Sequence, residues 1–338
     1  MPKGRARIGK GDTGDPTRHN MLVRIARLYY MRSMTHQEIA DQEGLSRIKV
    51  TRLLQEALEK RIVEFRISDP VMNTLDLEED LQKAFGLRHV IIAPTPQTDA
   101  EIYDFLGRFG ADLLARGLRD GLSIGIGWGR TLNGMLPYLE RTACRDVSVV
   151  SLTGGLAAND RQPNPYDVAS AVADRLEVGL YYPLLPAIVD SEQTRNLLLR
   201  EKNVRQFIAR WKSIDIALVS IGVIAPDTGV YYSFADPARE AERARRKGAV
   251  GDILATPFDE TGAFVDVGFT RRLLTIPFED LKKVPVVAGI AGGRHKTQAL
   301  LGALRSGYLN TLITDEDSAR RVMALARQRE GHGEAAGN

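Results

Sequence analysis

The feature that most constrains the fold of this chain is a series of short apolar runs, rich in β-branched residues and nearly free of charge. Five of them lie at residues 89–94, 122–127, 147–152, 214–222 and 284–292. Helical patterns separate the runs, and runs of this kind are typical of strands buried on both faces of a mostly parallel sheet. We therefore predict a Rossmann-like α/β fold for the larger, C-terminal part of the chain.

The N-terminal part differs in charge. Residues 1–66 hold 14 Lys and Arg against 8 Asp and Glu, whereas the rest of the chain holds 32 against 35. Neutralising phosphates releases condensed counterions, so a basic module of this size is typical of a nucleic-acid binder. The chain is predicted to have five parts. These are a disordered basic arm (residues 1–16), a DNA-binding domain (17–67), a linker (68–75), an effector and oligomerisation domain (76–325) and a disordered tail (326–338).

The strongest local motif lies at residues 34–60. Thr35, with Glu38 three residues later, predicts a capping box at the start of a short helix. Gly44 predicts the left-handed turn that ends this helix, and Ser46 predicts the cap of the next one. The pattern favours a helix-turn-helix over an ordinary pair of packed helices, the alternative for any α-rich segment.

The start of the second helix is predicted to enter the major groove of DNA. The residues predicted to face outward there are Ser46, Arg47, Ile48, Lys49, Thr51 and Arg52. Arg47 and Arg52 suit guanine edges, whereas Ser46 and Lys49 suit phosphate. The β-rich run at 62–67 is predicted to form a wing, which makes the fold a winged helix-turn-helix. Arg66 is a candidate phosphate contact on this wing, although a solvated surface explains it equally well.

Three of the predicted strands run into glycines and then into a helical segment, at residues 124–135, 149–156 and 286–304. The carboxyl ends of parallel strands meet at one edge of a sheet, and glycines let the backbone approach an anion closely. Two of these loops carry cations, namely Arg130 in the first and Arg294 with Lys296 in the third. The pattern favours an anionic ligand over turns that serve packing alone. The loops do not match the phosphate loops of nucleotide-binding folds, so no nucleotide is expected.

Together these motifs resemble the SorC family of sugar-binding transcriptional regulators. The resemblance rests on the helix-turn-helix at 35–60, on GIGWGRTL at 125–132, TGGL at 153–156 and GAVGDIL at 248–254, and on the block at 291–319. It covers residues 20–325. It implies a C-terminal domain with the fold of sugar-phosphate isomerases and deaminases, used for sensing and not for turnover.

The resemblance also implies an effector site with two parts. The implied phosphate subsite consists of Gly127, Trp128, Gly129, Arg130, Thr131 and Lys296. The implied sugar subsite consists of Thr153, Gly154, Gly155, Asn164 and Asp252. Family members that bind a bisphosphate can carry an arginine at the position of Thr153, so a monophosphate or an unphosphorylated polyol is expected here. The residues alone also allow purely structural roles, in which Asn164 starts a turn before Pro165, Asp252 caps a turn and Lys296 caps a helix dipole.

We expect a cytoplasmic transcriptional regulator that binds double-stranded operator DNA and a small sugar phosphate or polyol. It is expected to form a homodimer or homotetramer, because a single helix-turn-helix makes few base contacts. No membrane association is expected, because the chain lacks an apolar run of the roughly 20 residues that a span requires. Neither a cofactor nor a metal is expected, since Cys144 is the only cysteine and the five histidines show no ligand-type spacing.

Two other functions remain open at this stage. One is a sugar-phosphate isomerase or deaminase that uses Asp252 or another carboxylate as its base. Such chemistry needs an acid–base pair, and His295 is the only histidine near a glycine loop. The other is a DNA-binding structural module whose C-terminal domain only oligomerises. The glycine loops and Lys296 argue against this second alternative.

Overall fold

The computed structural model describes residues 16–60, 62–63, 74–98, 101–156 and 163–335, with side chains described as far as residue 328. The chain divides into two compact units, Met1–Asn73 and Thr74–Asn338. Each unit has its own hydrophobic core. The described helices of the first unit are α1 (Pro16–Ala26), which continues as a π-helical turn (Arg27–Met31), α2 (His36–Glu43) and α3 (Arg47–Glu59).

The first unit is the predicted helix-turn-helix. The Thr35 side chain accepts a hydrogen bond from the Glu38 amide, and the Glu38 carboxylate accepts one from the Thr35 amide, so the capping box is confirmed. Gly44 ends α2 with a φ of 64°, in the left-handed region that favours glycine. The Ser46 side chain caps α3 by accepting a hydrogen bond from the Lys49 amide. Most of the predicted wing, Arg66 included, lies outside the described residues.

The second unit alternates strands and helices. Its strands are β1 (His89–Ala93), β2 (Ser123–Ile126), β3 (Ser148–Ser151), β4 (Gly179–Tyr181), β5 (Ile216–Val223), β6 (Ala249–Ile253), β7 (Thr256–Asp259), β8 (Val286–Ile290) and β9 (Thr311–Asp315). Its helices are α4 (Leu75–Phe85), α5 (Ile102–Gly117), α6 (Arg130–Asn133), α7 (Pro165–Leu176), α8 (Glu192–Leu198), α9 (Lys202–Arg210), α10 (Pro237–Arg246), α11 (Phe278–Leu281), α12 (Thr297–Arg305) and α13 (Glu316–Ala335). All five predicted strands are present, as β1, β2, β3, β5 and β8.

Seven strands form a parallel sheet in the order β1-β9-β8-β5-β2-β3-β4. Nearly every side chain of β2, β3, β8 and β9 is buried, so both faces of the central sheet are covered, and the Rossmann-like α/β prediction is confirmed. The hairpin β6–β7 extends from the end of β5, where β5 and β6 pair antiparallel. From β2 the chain proceeds toward one edge of the sheet through β3 and β4. It then returns to β5, beside β2, and proceeds toward the opposite edge through β8 and β9. The order of the strands therefore reverses between β2 and β5.

The C-terminal boundary differs from the prediction. The tail was expected to be disordered from residue 326, but α13 passes through this point and ends at Ala335. Ala319, Val322, Met323 and Ala326 are buried along one side of α13. The apolar side that holds this amphipathic helix therefore already includes Ala326, the first residue of the predicted tail.

Candidate functional site

The predicted DNA-contacting residues of the first unit lie on the solvent side of α3. The opposite side of this helix is buried, through Val50, Leu53, Leu54 and Ala57. The described residues of the predicted contact set are all exposed: Ser46, Arg47, Lys49, Thr51 and Arg52. The hydroxyl of Thr51 is already engaged, because it lies 3.1 Å from His36 Nδ1 and donates to the Arg47 carbonyl.

The cations of this unit fall into two groups. Arg18 pairs with Glu56 at 2.6 Å, and Arg24 pairs with Glu43 at 2.7 Å. Among the described residues, Arg47, Lys49 and Arg52 form no ion pair. The positive charge at the start of α3 is therefore available to an external anion, which a DNA-binding surface requires.

A second candidate site lies at the carboxyl ends of β2 and β5, where the order of the strands reverses. In open parallel sheets such a reversal opens a crevice in which ligands bind. The crevice holds a cavity of about 60 Å³. Its wall contains six of the eleven predicted effector residues, namely Trp128, Gly129, Arg130, Thr131, Asp252 and Lys296.

The glycine loop after β2 runs directly against β5. Gly129 has a φ of 132°, and a Cβ at this position would lie 2.8 Å from the Ser220 hydroxyl. Gly127 donates its amide to the Leu218 carbonyl, and a Cβ there would lie 2.9 Å from Leu254, which lines the cavity. Glycine is thus favoured at position 129 by the backbone conformation and by the approach to β5, whereas a side chain at position 127 would have to displace the end of Leu254.

Lys296 reaches the cavity from the loop after β8 and is only 6% exposed. Its Nζ donates a hydrogen bond of 2.8 Å to the Ile221 carbonyl, near the end of β5. Burial lowers the pKa of Lys296 to about 8, the positive charge of Arg130 acts in the same direction, and Asp252 opposes both. The ammonium is therefore held in place with little solvent around it, where an anionic ligand would stabilise its charged form.

Asp252 lies on β6 and is 4% exposed. Burial raises the pKa of Asp252 to about 6, against the hydrogen bond from the Ala255 amide and the charge of Lys296. Its Oδ2 has no hydrogen-bond partner among the described residues. A buried carboxylate oxygen without a donor is costly, and a ligand hydroxyl would supply the missing hydrogen bond.

The pairing of β6 with β5 brings Asp252 opposite Gly222. A Cβ at Gly222 would lie 2.5 Å from the Asp252 Oδ2. Only glycine on β5 leaves room for the carboxylate beside the cavity.

Several residues of the wall were not predicted from the sequence. The centroid of the Tyr103 ring lies 4.2 Å from the Arg130 guanidinium carbon and 5.8 Å from the Lys296 Nζ, so one aromatic ring lies close to both cations. Ser220 and Gly222 are also on the wall, and the buried Ser220 hydroxyl has no partner among the described residues. Both follow from one signal in the sequence, because they come at the carboxyl end of a predicted strand. No comparable signal identifies Tyr103.

Five predicted effector residues do not line this cavity: Gly127, Thr153, Gly154, Gly155 and Asn164. Thr153 and Gly154 both hydrogen-bond to the Leu274 carbonyl. Asn164 caps α7 by accepting from the Tyr166 amide, and its own amide donates to the Leu156 carbonyl. Asn164 thus has a structural role at the start of α7, and effector contact by these five residues stays a prediction.

Asp315 anchors the loop that carries Lys296. Its buried carboxylate accepts hydrogen bonds of 3.0 Å from the Gly293 amide, 3.0 Å from the Ser318 amide and 3.4 Å from the Thr95 hydroxyl. Both oxygens are therefore satisfied, which distinguishes this carboxylate from that of Asp252. Arg294 turns away from the cavity and pairs with Asp317 at 3.0 Å.

Comparison with known proteins agrees with this arrangement. Residues 69–324 match the Sugar-bind family, described as "Putative sugar-binding domain". The deoxyribonucleoside regulator of Bacillus subtilis (strain 168) is 29% identical over 311 residues, covering 91% of this chain and 99% of that protein. The transcriptional regulator LsrR of Escherichia coli O9:H4 (strain HS) is 31% identical over 306 residues, covering 89% and 94%. The crystal structure of the full-length sorbitol operon regulator SorC from Klebsiella pneumoniae superposes with a TM-score of 0.69 at 29% identity, covering 89% and 98%.

A helix-turn-helix unit combined with a sugar-binding α/β unit defines a ligand-responsive transcriptional regulator. The chain belongs to the SorC family of sugar-binding transcriptional regulators. Its relatives are regulators and not enzymes. The described helices include none that is long and apolar enough to cross a membrane.

The raised pKa of Asp252 predicts a pH-dependent loss of stability in the second unit. Since the folded-state pKa of about 6 exceeds the usual 3.8, the favourable contribution is complete below pH 3.8 and is lost as the pH rises through 6. Asp252→Asn resembles the protonated form and should not lose it. Between pH 4.5 and 6.5 the free energy of unfolding of the parent should therefore fall by about 2 kcal/mol relative to this variant.

Urea unfolding at the two pH values measures this difference. Asp174→Asn, at an exposed position of α7, is the matched control and should follow the parent. Equal pH dependence in the parent and Asp252→Asn would show that the Asp252 carboxyl is not held in a desolvated site.

Proposed function

We propose that this regulator binds operator DNA through the exposed side of α3, and that a sugar monophosphate or a polyol in the β2–β5 crevice modulates this binding. The observation that carries the effector assignment is that Lys296 and Asp252 are both buried on the cavity wall, and that no described residue donates a hydrogen bond to the Asp252 Oδ2. In this assignment residues 17–67 form the DNA-binding domain and residues 76–325 the effector domain.

The charges of the crevice support a ligand that carries hydroxyl groups as well as a single anionic group. Asp252 is a hydrogen-bond acceptor, which suits hydroxyls, whereas Lys296 and Arg130 are donors that suit a phosphate or a set of polyol oxygens. Thr153 stands where bisphosphate-binding members can carry an arginine, and it is not on the cavity wall. The similar proteins from Klebsiella and Bacillus are named for sorbitol and for deoxyribonucleosides, which agrees with a polyol or sugar-type effector.

The volume of the cavity supports a modulating role. Pockets for small molecules usually measure about 300–1,000 Å³, and this cavity holds about 60 Å³. A sugar-sized effector therefore displaces part of the wall, which is built from the ends of β2 and β5, the start of the β6–β7 hairpin and the Lys296 loop. A ligand that binds only the widened form shifts the population toward that form, which is the requirement for allosteric control.

Arg47→Ala and Arg52→Ala should each lower operator affinity by about 1–3 kcal/mol if the side chain reads a base edge. Fluorescence anisotropy with the operator duplex measures the change. The control is Arg24→Ala, because Arg24 lies in the same unit but is paired with Glu43. Parent-like binding of both variants, combined with weak binding of Lys49→Ala, would mean that this face contacts phosphates and not bases.

The protein should assemble at least as a homodimer, and a homotetramer is compatible with the same reasoning. Operators commonly present two half-sites one helical turn or more apart, and two copies of α3 are needed to occupy both. Light scattering at micromolar concentration, with and without operator DNA, measures the mass. A monomer under both conditions would contradict the prediction.

Lys296→Ala should weaken effector binding by about 1.5–3 kcal/mol, because one charge-assisted contact is lost. DNA affinity without effector should stay near the parent value. The measurements are calorimetry against a panel of pentose, hexose and polyol phosphates and free polyols, followed by a DNA titration with and without the ligand found. Lys282→Ala, at an exposed position of the same unit, is the control. If the effector changed DNA binding of the variant as it does for the parent, Lys296 would not belong to the site. If the variant lost DNA binding in the absence of effector, Lys296 would instead be needed for folding.

A further inference from the structure

Ile48 is an apolar side chain in an unusual place. It is the second residue of α3, between Arg47 and Lys49, and it is 68% exposed. Among the described residues of the first unit, no other large apolar side chain is as exposed, and Met31 comes next at 61%. Single exposed apolar residues are common on protein surfaces, so the informative feature of Ile48 is its position among the cations of the proposed DNA-binding surface.

The geometry of α3 places Ile48 at the centre of the outward side. Successive residues of a helix are rotated by about 100°, so the buried stripe from Val50 to Ala57 fixes the direction of the core. Ile48 lies almost opposite to this stripe, on the same side as Arg52 and Gln55. It adds nothing to the core of the unit and lies in the middle of the proposed DNA-binding surface.

The chemistry of isoleucine limits what it can recognise in a major groove. Its side chain neither donates nor accepts hydrogen bonds, so it gains only from apolar contact. The only apolar group that base edges present in the major groove is the C5-methyl of thymine. The residues at the start of a recognition helix are those that contact base edges.

We infer that Ile48 determines part of the operator sequence by packing against the C5-methyl group of a thymine in each half-site. This inference rests on the proposed DNA-binding role of α3 and adds a base identity to it. Arg47 and Arg52 on either side supply contacts to neighbouring bases or phosphates.

The test removes the methyl group and nothing else. The full-length protein is used to select a duplex from a random library, and each thymidine of that duplex is replaced in turn by deoxyuridine. For the parent, one position in each half-site should show binding weakened by about fourfold, the expected effect of one buried methyl group. At the other thymidines that α3 does not reach, the replacement should have little effect.

Variants then assign the effect to Ile48. Ile48→Ala should bind the thymidine duplex about fourfold or more weakly and should no longer distinguish thymidine from deoxyuridine at the sensitive position. Ile48→Val keeps a β-branched apolar side chain and should retain the discrimination. Leu184→Ala, at an 86% exposed apolar position of the second unit, should behave as the parent. Because Ile48 is exposed, its replacement leaves the core of the unit intact.

The outcomes separate this inference from the proposed function. A parent that selects a duplex but binds the deoxyuridine forms equally well overturns the thymine contact alone. The same holds if Ile48→Ala keeps the discrimination. A parent that selects no duplex overturns the DNA-binding role and the thymine contact together.

Discussion

The arrangement of the second unit depends on the parallel pairing of β2 with β5. The chain leaves these two strands in opposite directions, so no connection covers the gap between their carboxyl ends. The glycine loop after β2, the hairpin that extends from β5 and the loop after β8 all meet at this gap. Gly129 and Gly222 show how closely they meet, since a Cβ at either position would lie within 3 Å of a neighbouring side-chain oxygen.

The two buried carboxylates of this region show the difference between a structural and a ligand-directed group. Asp315 accepts three hydrogen bonds, which use both of its oxygens to tie the Lys296 loop to the start of α13. Asp252 is also buried, yet one of its oxygens lacks a partner in the described structure, and burial raises its pKa to about 6. Burial of a charge without full compensation lowers stability, and proteins tolerate such burial chiefly where function requires it.

The first unit separates its charges in a comparable way. Its core is small, and it is held by a capping box, a left-handed glycine and a buried stripe on α3. Arg18 and Arg24 are neutralised by glutamates, whereas the cations at the start of α3 are not. The same surface leaves a large apolar side chain in solvent at Ile48. Cations that suit phosphate and an apolar group that suits a base edge thus share the N-terminal turns of one helix.

Local sequence patterns were sufficient to predict the elements that depend on interactions between neighbouring residues. The capping box at Thr35, the turn at Gly44 and the five apolar strands were predictable, because caps, left-handed glycines and buried runs depend on neighbours a few residues away. It also placed Lys296 and the loop at Gly129 near a sheet edge. The family resemblance implied Asp252, and the end of a predicted strand could indicate Ser220. The tertiary structure alone brings Tyr103 to the cavity wall and keeps Thr153 and Asn164 off it, because the order in which strands pair is set by packing between distant segments. That order brings residues more than 100 positions apart around one cavity, and no local pattern encodes it.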